Sequence, residues 1–223
     1  MGLIIADYFY PLLHPFKHFE QLNRGERKSF ALVDVVLMSS FFRIIHCGYV
    51  ILALFLGHLT FAMIENNHPA MSLLFGLNSL VERGVFLTAI VGVIIFPFFS
   101  LGYYFLLKRF MIFSCGLFRA KSDSQDSVSS SQELEIEKSI HQIIVTSFSS
   151  NTFLGIPFFG DAIRHIYAAI ILYAGLRTSL GLGRDQSLVI LALPFIVFSA
   201  MIIGMLLYFY LLMTTVFLPQ LSF

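Results

Sequence analysis

Tryptophan is absent, cysteine occurs twice, and charged residues make up only 12% of the 223-residue chain. A soluble globular domain carries about 25% Asp, Glu, Lys and Arg. Half that share, with 57% hydrophobic residues and long uncharged runs, puts the chain in the membrane class. Cys47 and Cys115 fall in different apolar segments without a CxxC or Cys/His spacing, which argues against a disulfide framework and a zinc site. Neither sign of charge dominates: 14 basic against 13 acidic residues leave a net +1 and no basic field for nucleic acid. The first fifteen residues contain no Lys or Arg, so the n-region of a signal peptide is lacking. Ala6 stands where a myristoylation motif has Ser or Thr. The N-terminus is expected to be neither cleaved nor lipidated. Catalytic serine, cysteine, metal-hydrolase and glycosidase constellations are missing, so no catalytic residue, metal or cofactor is expected.

What is present is apolar sequence, punctuated by charge. Between Arg43 and Glu65 lie 21 uncharged residues, and between Arg83 and Lys108 lie 24. Each run suits a helix crossing roughly 30 Å of hydrocarbon at about 1.5 Å per residue. After Asp185 no charge occurs up to Phe223. The stretch from 138 to 177 is less apolar. It reads as two helices in a tight hairpin, the first broken near Gly155 and Pro157 and the second capped by Asp161, with Arg164 and Arg177 snorkelling outward.

The expected fold is all-α: a single membrane domain over 1–223, with five transmembrane helices near 41–64, 84–107, 138–158, 161–177 and 187–214. Upstream, "PLLHPFKHFEQL" puts Phe16, Phe19 and Leu22 on one side of a short helix. With the basic "NRGERK" after it, segment 1–30 reads as an N-terminal interfacial amphipathic helix on the inner leaflet. Residues 119–137 read as a Ser-rich cytoplasmic linker, with a helix starting near Ser131. A cytoplasmic N-terminus then puts twelve of the 14 basic residues inside, Arg43 at the boundary among them, and only Arg83 and Arg164 outside. That bias satisfies the positive-inside rule and leaves the C-terminus outside. Without the hairpin, the last span would still start inside and Arg164 would move inside with it.

Few positions invite chemistry. In "YAGLRTSLGLGRDQSL", residues 173–188, the close glycines lack the preceding strand of a dinucleotide fingerprint and the GK[ST] of a P-loop. They read as a cytoplasmic turn, with Gly175 and Gly181 as C-caps and Asp185 or Ser187 capping the next helix. His14 and His18 are spaced i, i+4, but no carboxylate or thiol joins them, so interfacial histidines are the simpler reading. His46 and Cys47 point about 100° apart on a helix and form no tight pair.

The most informative cluster is "TSFSSNT", whose polar side chains are Thr146, Ser147, Ser149, Ser150, Asn151 and Thr152. Lipid offers them no partners, so they should face other helices or a wet cavity. On an ideal helix Thr146, Ser149 and Ser150 share one face, Asn151 lies on the adjacent stripe, and Phe148 points away. A second cluster, Asp161, Arg164 and His165, reads as a cap and ion pair at the outer boundary. Ala53/Gly57, Thr88/Gly92 and Ala200/Gly204 form small-xxx-small pairs suited to close helix approach.

The order of parts, from "PFKHF" before the first span through a Ser-rich loop and a polar hairpin to "IILYAGLRTSLGLGRDQSLVILALPFIV", resembles the Yip-domain family of five-span membrane proteins in its bacterial form. The likeness is densest over 138–215, around Tyr173-Ala174-Gly175-Leu176. The family's D-L-[YW]-G-P motif before the first span is not present, which sets this chain apart from the relatives linked to Rab GTPases and vesicle traffic. The resemblance implies fold more than function. Residues and resemblance together lead to a non-enzymatic accessory or scaffold subunit of a bacterial inner-membrane complex, contacting lipids and other integral membrane proteins. The alternative is a transporter or channel-like protein using a cavity lined by residues 146–152.

Overall fold

A computed structural model describes residues 5–64, 80–119, 130–157 and 159–212, and these are helical without a strand. The helices are α1 (Ile5–Leu13), α2 (Pro15–Asn23), α3 (Leu32–Ile64), α4 (Leu80–Arg119), α5 (Ser130–Ser147), a 3-10 helix (Phe148–Gly155), α6 (Gly160–Ser179) and α7 (Arg184–Leu212). Three are long and apolar enough to cross a membrane: Leu32–Gly57 of α3, Phe86–Phe118 of α4 and Arg184–Leu211 of α7. The N-terminal segment holds two helices where one was expected, because Pro15 lacks the N–H to continue α1 and instead opens α2. The linker 119–137 is helical from Ser130 onward, close to the helix start expected near Ser131. Residues 120–129 lie outside the described residues.

The core gathers at one end of the long helices. Ile140, Ile143 and Ile144 recur at helical spacing on α5 and meet Ile171 and Leu176 of α6, Phe19 of α2 and Tyr8 of α1. Val35 of α3, Tyr104 and Met111 of α4, and Ile190 of α7 complete it. Among the residues whose burial is described, the last buried one along α3 is Cys47, the first along α4 is Ser100, and the last along α7 is Ile190. Beyond those points each long helix projects by roughly 25–33 Å at 1.5 Å per residue. The small-xxx-small pairs do not bring these projecting parts together. A Cβ at Gly57 or Gly204 would meet nothing within 4 Å, and one at Gly92 would meet only the Arg43 guanidinium.

The close approach lies at Gly175 instead. A Cβ there would stand 2.7 Å from Ile143 and 2.9 Å from Phe19, so α2, α5 and α6 converge on a position only glycine fits. Gly175 is therefore a contact inside α6, and its expected capping role goes to Gly181, which takes φ +65° after the helix ends. Neither Asp185 nor Ser187 caps α7. Gln186 Oε1 accepts the Gly183 N–H at 3.0 Å, while the Ser187 hydroxyl donates back to the Gly183 carbonyl at 2.9 Å.

His18 does not share an exposed face with His14. It is 1% exposed, stacked on Phe30 with ring centroids 5.6 Å apart, and neither ring nitrogen has a hydrogen-bond partner. Burial holds its imidazole well below the usual 6.5, at about 4, with Arg27 adding to the depression and Asp7 opposing it. The neutral ring thus stabilises the fold fully above about pH 6.5, and that contribution is lost as pH falls towards 4.

Two outcomes are expected. Gly175→Ala lowers Tm, by overpacking worth about 1–3 kcal/mol, whereas Gly102→Ala, with open space around its Cβ, leaves Tm unchanged or raises it. Acidifying from pH 7 to 5 weakens docking of α1 and α2 by roughly 2 kcal/mol. Limited proteolysis of the N-terminal helices reads this, and His18→Phe flattens the dependence.

Candidate functional site: a polar junction at the hairpin tip

The run from 146 to 152 is only partly α-helical. From Phe148 the backbone tightens into a 3-10 helix, because hydroxyls bond back to carbonyls three residues earlier. Ser147 Oγ donates to Ile144 O at 2.7 Å and Thr152 Oγ1 to Ser149 O at 2.8 Å. Pro157 follows, and the chain reverses before α6. With about three residues per turn, Phe148, Asn151 and Leu154 share a ridge. The expected faces therefore change: Phe148 lies on the Asn151 side, and its ring meets Tyr103 edge-on at 6.1 Å. Thr146, Ser147, Ser149, Ser150, Asn151 and Thr152 are all buried, between 0% and 8% exposed.

Asn151 is the junction. Its amide donates to Ser39 Oγ of α3 at 2.9 Å, and its carbonyl accepts from Arg164 Nη1 of α6 at 3.4 Å. Ser39 Oγ lies 3.4 Å from the Tyr8 hydroxyl, which donates to the Phe148 carbonyl at 3.0 Å. Arg164 carries the network onward, pairing with Asp161 Oδ1 at 3.3 Å and contacting His165 Nε2 at 2.9 Å. The two polar clusters of the sequence are thus one assembly, joined by Arg164. Ser149 Oγ is left without a partner. Tyr8 and Ser39 were not foreseen as members; the only sign of Ser39 is the Ser39-Ser40 pair interrupting an apolar run.

The hairpin tip lies beside Arg43. Phe42 packs 3.4 Å from the Cβ position of Gly155, and Arg43 is close enough for its charge to act on Arg164. The Arg43 guanidinium sits 5.8 Å from the Phe96 centroid. On the far side of Arg43 a partly open cleft of about 380 Å³ separates α3 from α4, lined by His46, Cys47 and Val50 and by Gly84 and Thr88. His46 and Cys47 therefore border one space although they are adjacent in sequence. Among the described residues no group of three or more His, Cys, Asp or Glu could hold a metal ion. The arrangement can orient hydrogen bonds and attract negative charge. It contains no paired nucleophile and base.

No protein-family model matches this chain, and no curated protein or solved structure is similar to it.

Replacing Asn151 with Leu strips Ser39 and Arg164 of their shared partner and is expected to cost about 1–3 kcal/mol. Phe148→Leu should cost less, since it leaves the polar network whole. Thermal unfolding in mild detergent checks the ranking. Ser39→Ala combined with Asn151→Leu should be less damaging than the sum of the two.

Proposed function

We propose that this chain is a non-enzymatic scaffold or accessory subunit that holds other integral membrane proteins in a bacterial inner membrane. The observation that carries this reading is the projection of three apolar helices beyond the core. From Ala200 to Leu211 every residue of α7 is exposed on all sides of the helix. Exposed Ala200/Gly204 and Ala53/Gly57 offer flat places for a partner's helix. The burial of the 146–152 run supports this over the transport reading, because those side chains are spent on packing. The Yip-like resemblance agrees in layout and rests on sequence order alone.

The topology we propose has three crossings and a re-entrant hairpin, entering and leaving on the cytoplasmic side. Five crossings would put Arg43 at the inner boundary and Arg164 at the outer one, about 30 Å apart. Their proximity favours the re-entrant alternative. With Arg164 inside as well, only Arg83 among the 14 basic residues lies outside. The N-terminus stays cytoplasmic, with α1 and α2 at the inner interface, and the C-terminus lies outside.

Extraction in mild detergent should yield stable co-purifying membrane proteins, and their loss on Gly204→Leu would locate the contact. Substrate-dependent flux by the pure protein in liposomes would overturn the scaffold reading. For topology, a cysteine at Phe159 in a variant lacking Cys47 and Cys115 should resist an impermeant thiol reagent added from outside. Rapid outside labelling would restore five crossings.

A further inference from the structure

We propose that Arg43, with His46 beside it, forms the seat of a phosphate-class oxyanion in the cleft between α3 and α4. Arg43 lines this cleft, while the Arg164 guanidinium is paired with Asp161 on its own helix. Arg43 makes no ion pair with any described residue; its contacts are the face of Phe96 and the bare backbone of Gly92, whose Cβ position lies 3.6 Å from Nη2. Asp34, the described acid of α3, is out of reach, about 14 Å from Arg43 along the helix. A salt bridge needs roughly 4 Å. In apolar surroundings an unpaired charge is costly, so a mobile anion is the missing component.

The donors suit it. His46, which also lines the cleft, has a buried Nδ1 without a hydrogen-bond partner, and a guanidinium such as that of Arg43 binds phosphate oxygens in pairs. The cleft, about 380 Å³, falls within the usual size of a small-ligand site. Ile44, Leu87 and Val91 are exposed and apolar, so a headgroup seated here could lay its acyl chains along α3 and α4. The shared chemistry is phosphate, carried by a phospholipid or free in solution. This inference rests on the residues that line the cleft and holds for either number of crossings and for either function.

The full-length protein, purified in neutral detergent, is heated with dioleoylphosphatidylglycerol, with dioleoylglycerol (the same chains without phosphate), or with inorganic phosphate. Unfolding is followed by circular dichroism. Phosphatidylglycerol at saturation is expected to raise Tm by roughly 4 °C or more, and dioleoylglycerol by less than half of that. A shift with phosphatidylglycerol alone identifies the headgroup as the source; a matching shift with phosphate identifies the free anion. Arg43→Gln should lose most of the shift and Arg43→Lys keep part of it, while Arg177→Gln, exposed and away from the cleft, keeps it all. Equal shifts with both lipids and none with phosphate overturn the proposal, as does no shift at all or a full shift in Arg43→Gln. If Arg43→Gln does not fold, the wild-type comparison and Arg43→Lys decide.

Discussion

A buried amide must find its hydrogen bonds inside the protein, and around Asn151 that requirement organises the fold. Satisfying its NH2 group fixes the 3-10 helix against α3 through Ser39, and satisfying its carbonyl fixes α6 through Arg164. The Tyr8 hydroxyl closes the arrangement from α1, bonding to the Phe148 carbonyl within the same tight segment. Four elements distant in sequence thus meet over a few ångströms. Apolar packing alone would hold them together without fixing their register, because leucine and isoleucine surfaces slide at small cost. The polar contacts are directional, so they choose one arrangement among many that bury similar area.

The second fixed point is Gly175. Asn151 positions the tip of the hairpin, while Gly175 lets its base close against the N-terminal helices. Phe19 and Ile143 fill the space a side chain would take, and Asn23 of α2 adds a bond from Nδ2 to the Thr178 carbonyl at 3.0 Å. On the opposite flank Lys108 and Glu137 pair at 2.7 Å, and the Tyr104 hydroxyl meets His141 Nδ1 at 2.6 Å, tying α4 to α5. Glu137 carries a carboxyl held below its usual range, first by the hydrogen bond from Lys108 and then by that lysine's charge. The hairpin is clamped at its tip and its base. That clamping makes a segment of middling hydrophobicity compatible with an apolar setting: its polar atoms face inward and bond, while Ile156, Phe159 and Ile166 face out.

Much of this was legible from the residues. Composition alone places the chain among membrane proteins, and uncharged runs locate the three long helices, because desolvating charge costs more than any local preference can offset. The polar run stood out for the same reason. Its geometry did not, since the choice between α and 3-10 turns depends on hydroxyls bonding to carbonyls three residues back, and the same letters permit both. Phe148 consequently lies on the Asn151 side rather than away from it, although it does meet an aromatic partner, Tyr103. Gly175 was read as a helix end because glycine before a polar turn usually marks one; only packing against Ile143 and Phe19 reveals it as an interior contact. Span counting treats every moderately apolar stretch of sufficient length as a crossing, and so it reads Arg43 and Arg164 without the contacts that link α3 to the hairpin. Contacts across helices carry information that length does not.

The charge pattern makes sense once the hairpin is allowed to turn back. Arg43 interrupts α3 one helical turn beyond Ser39, and Asp161 and Arg164 stand just after the reversal at Pro157. If α3 and the hairpin were independent spans, Arg43 and the Asp161–Arg164 pair would have to reach different surfaces. Brought to one level, Arg164 uses Asp161 for charge and Asn151 for a hydrogen bond, and only Arg43 is left uncompensated. A single unmatched guanidinium beside a cleft between two long helices is a local and specific demand for negative charge. It concentrates the electrostatics of an otherwise nearly neutral chain at the point where α3, α4 and the hairpin tip meet. The projecting ends of those helices, without a charge between Arg43 and Glu65 or after Asp185, are left free to meet apolar surroundings on every side.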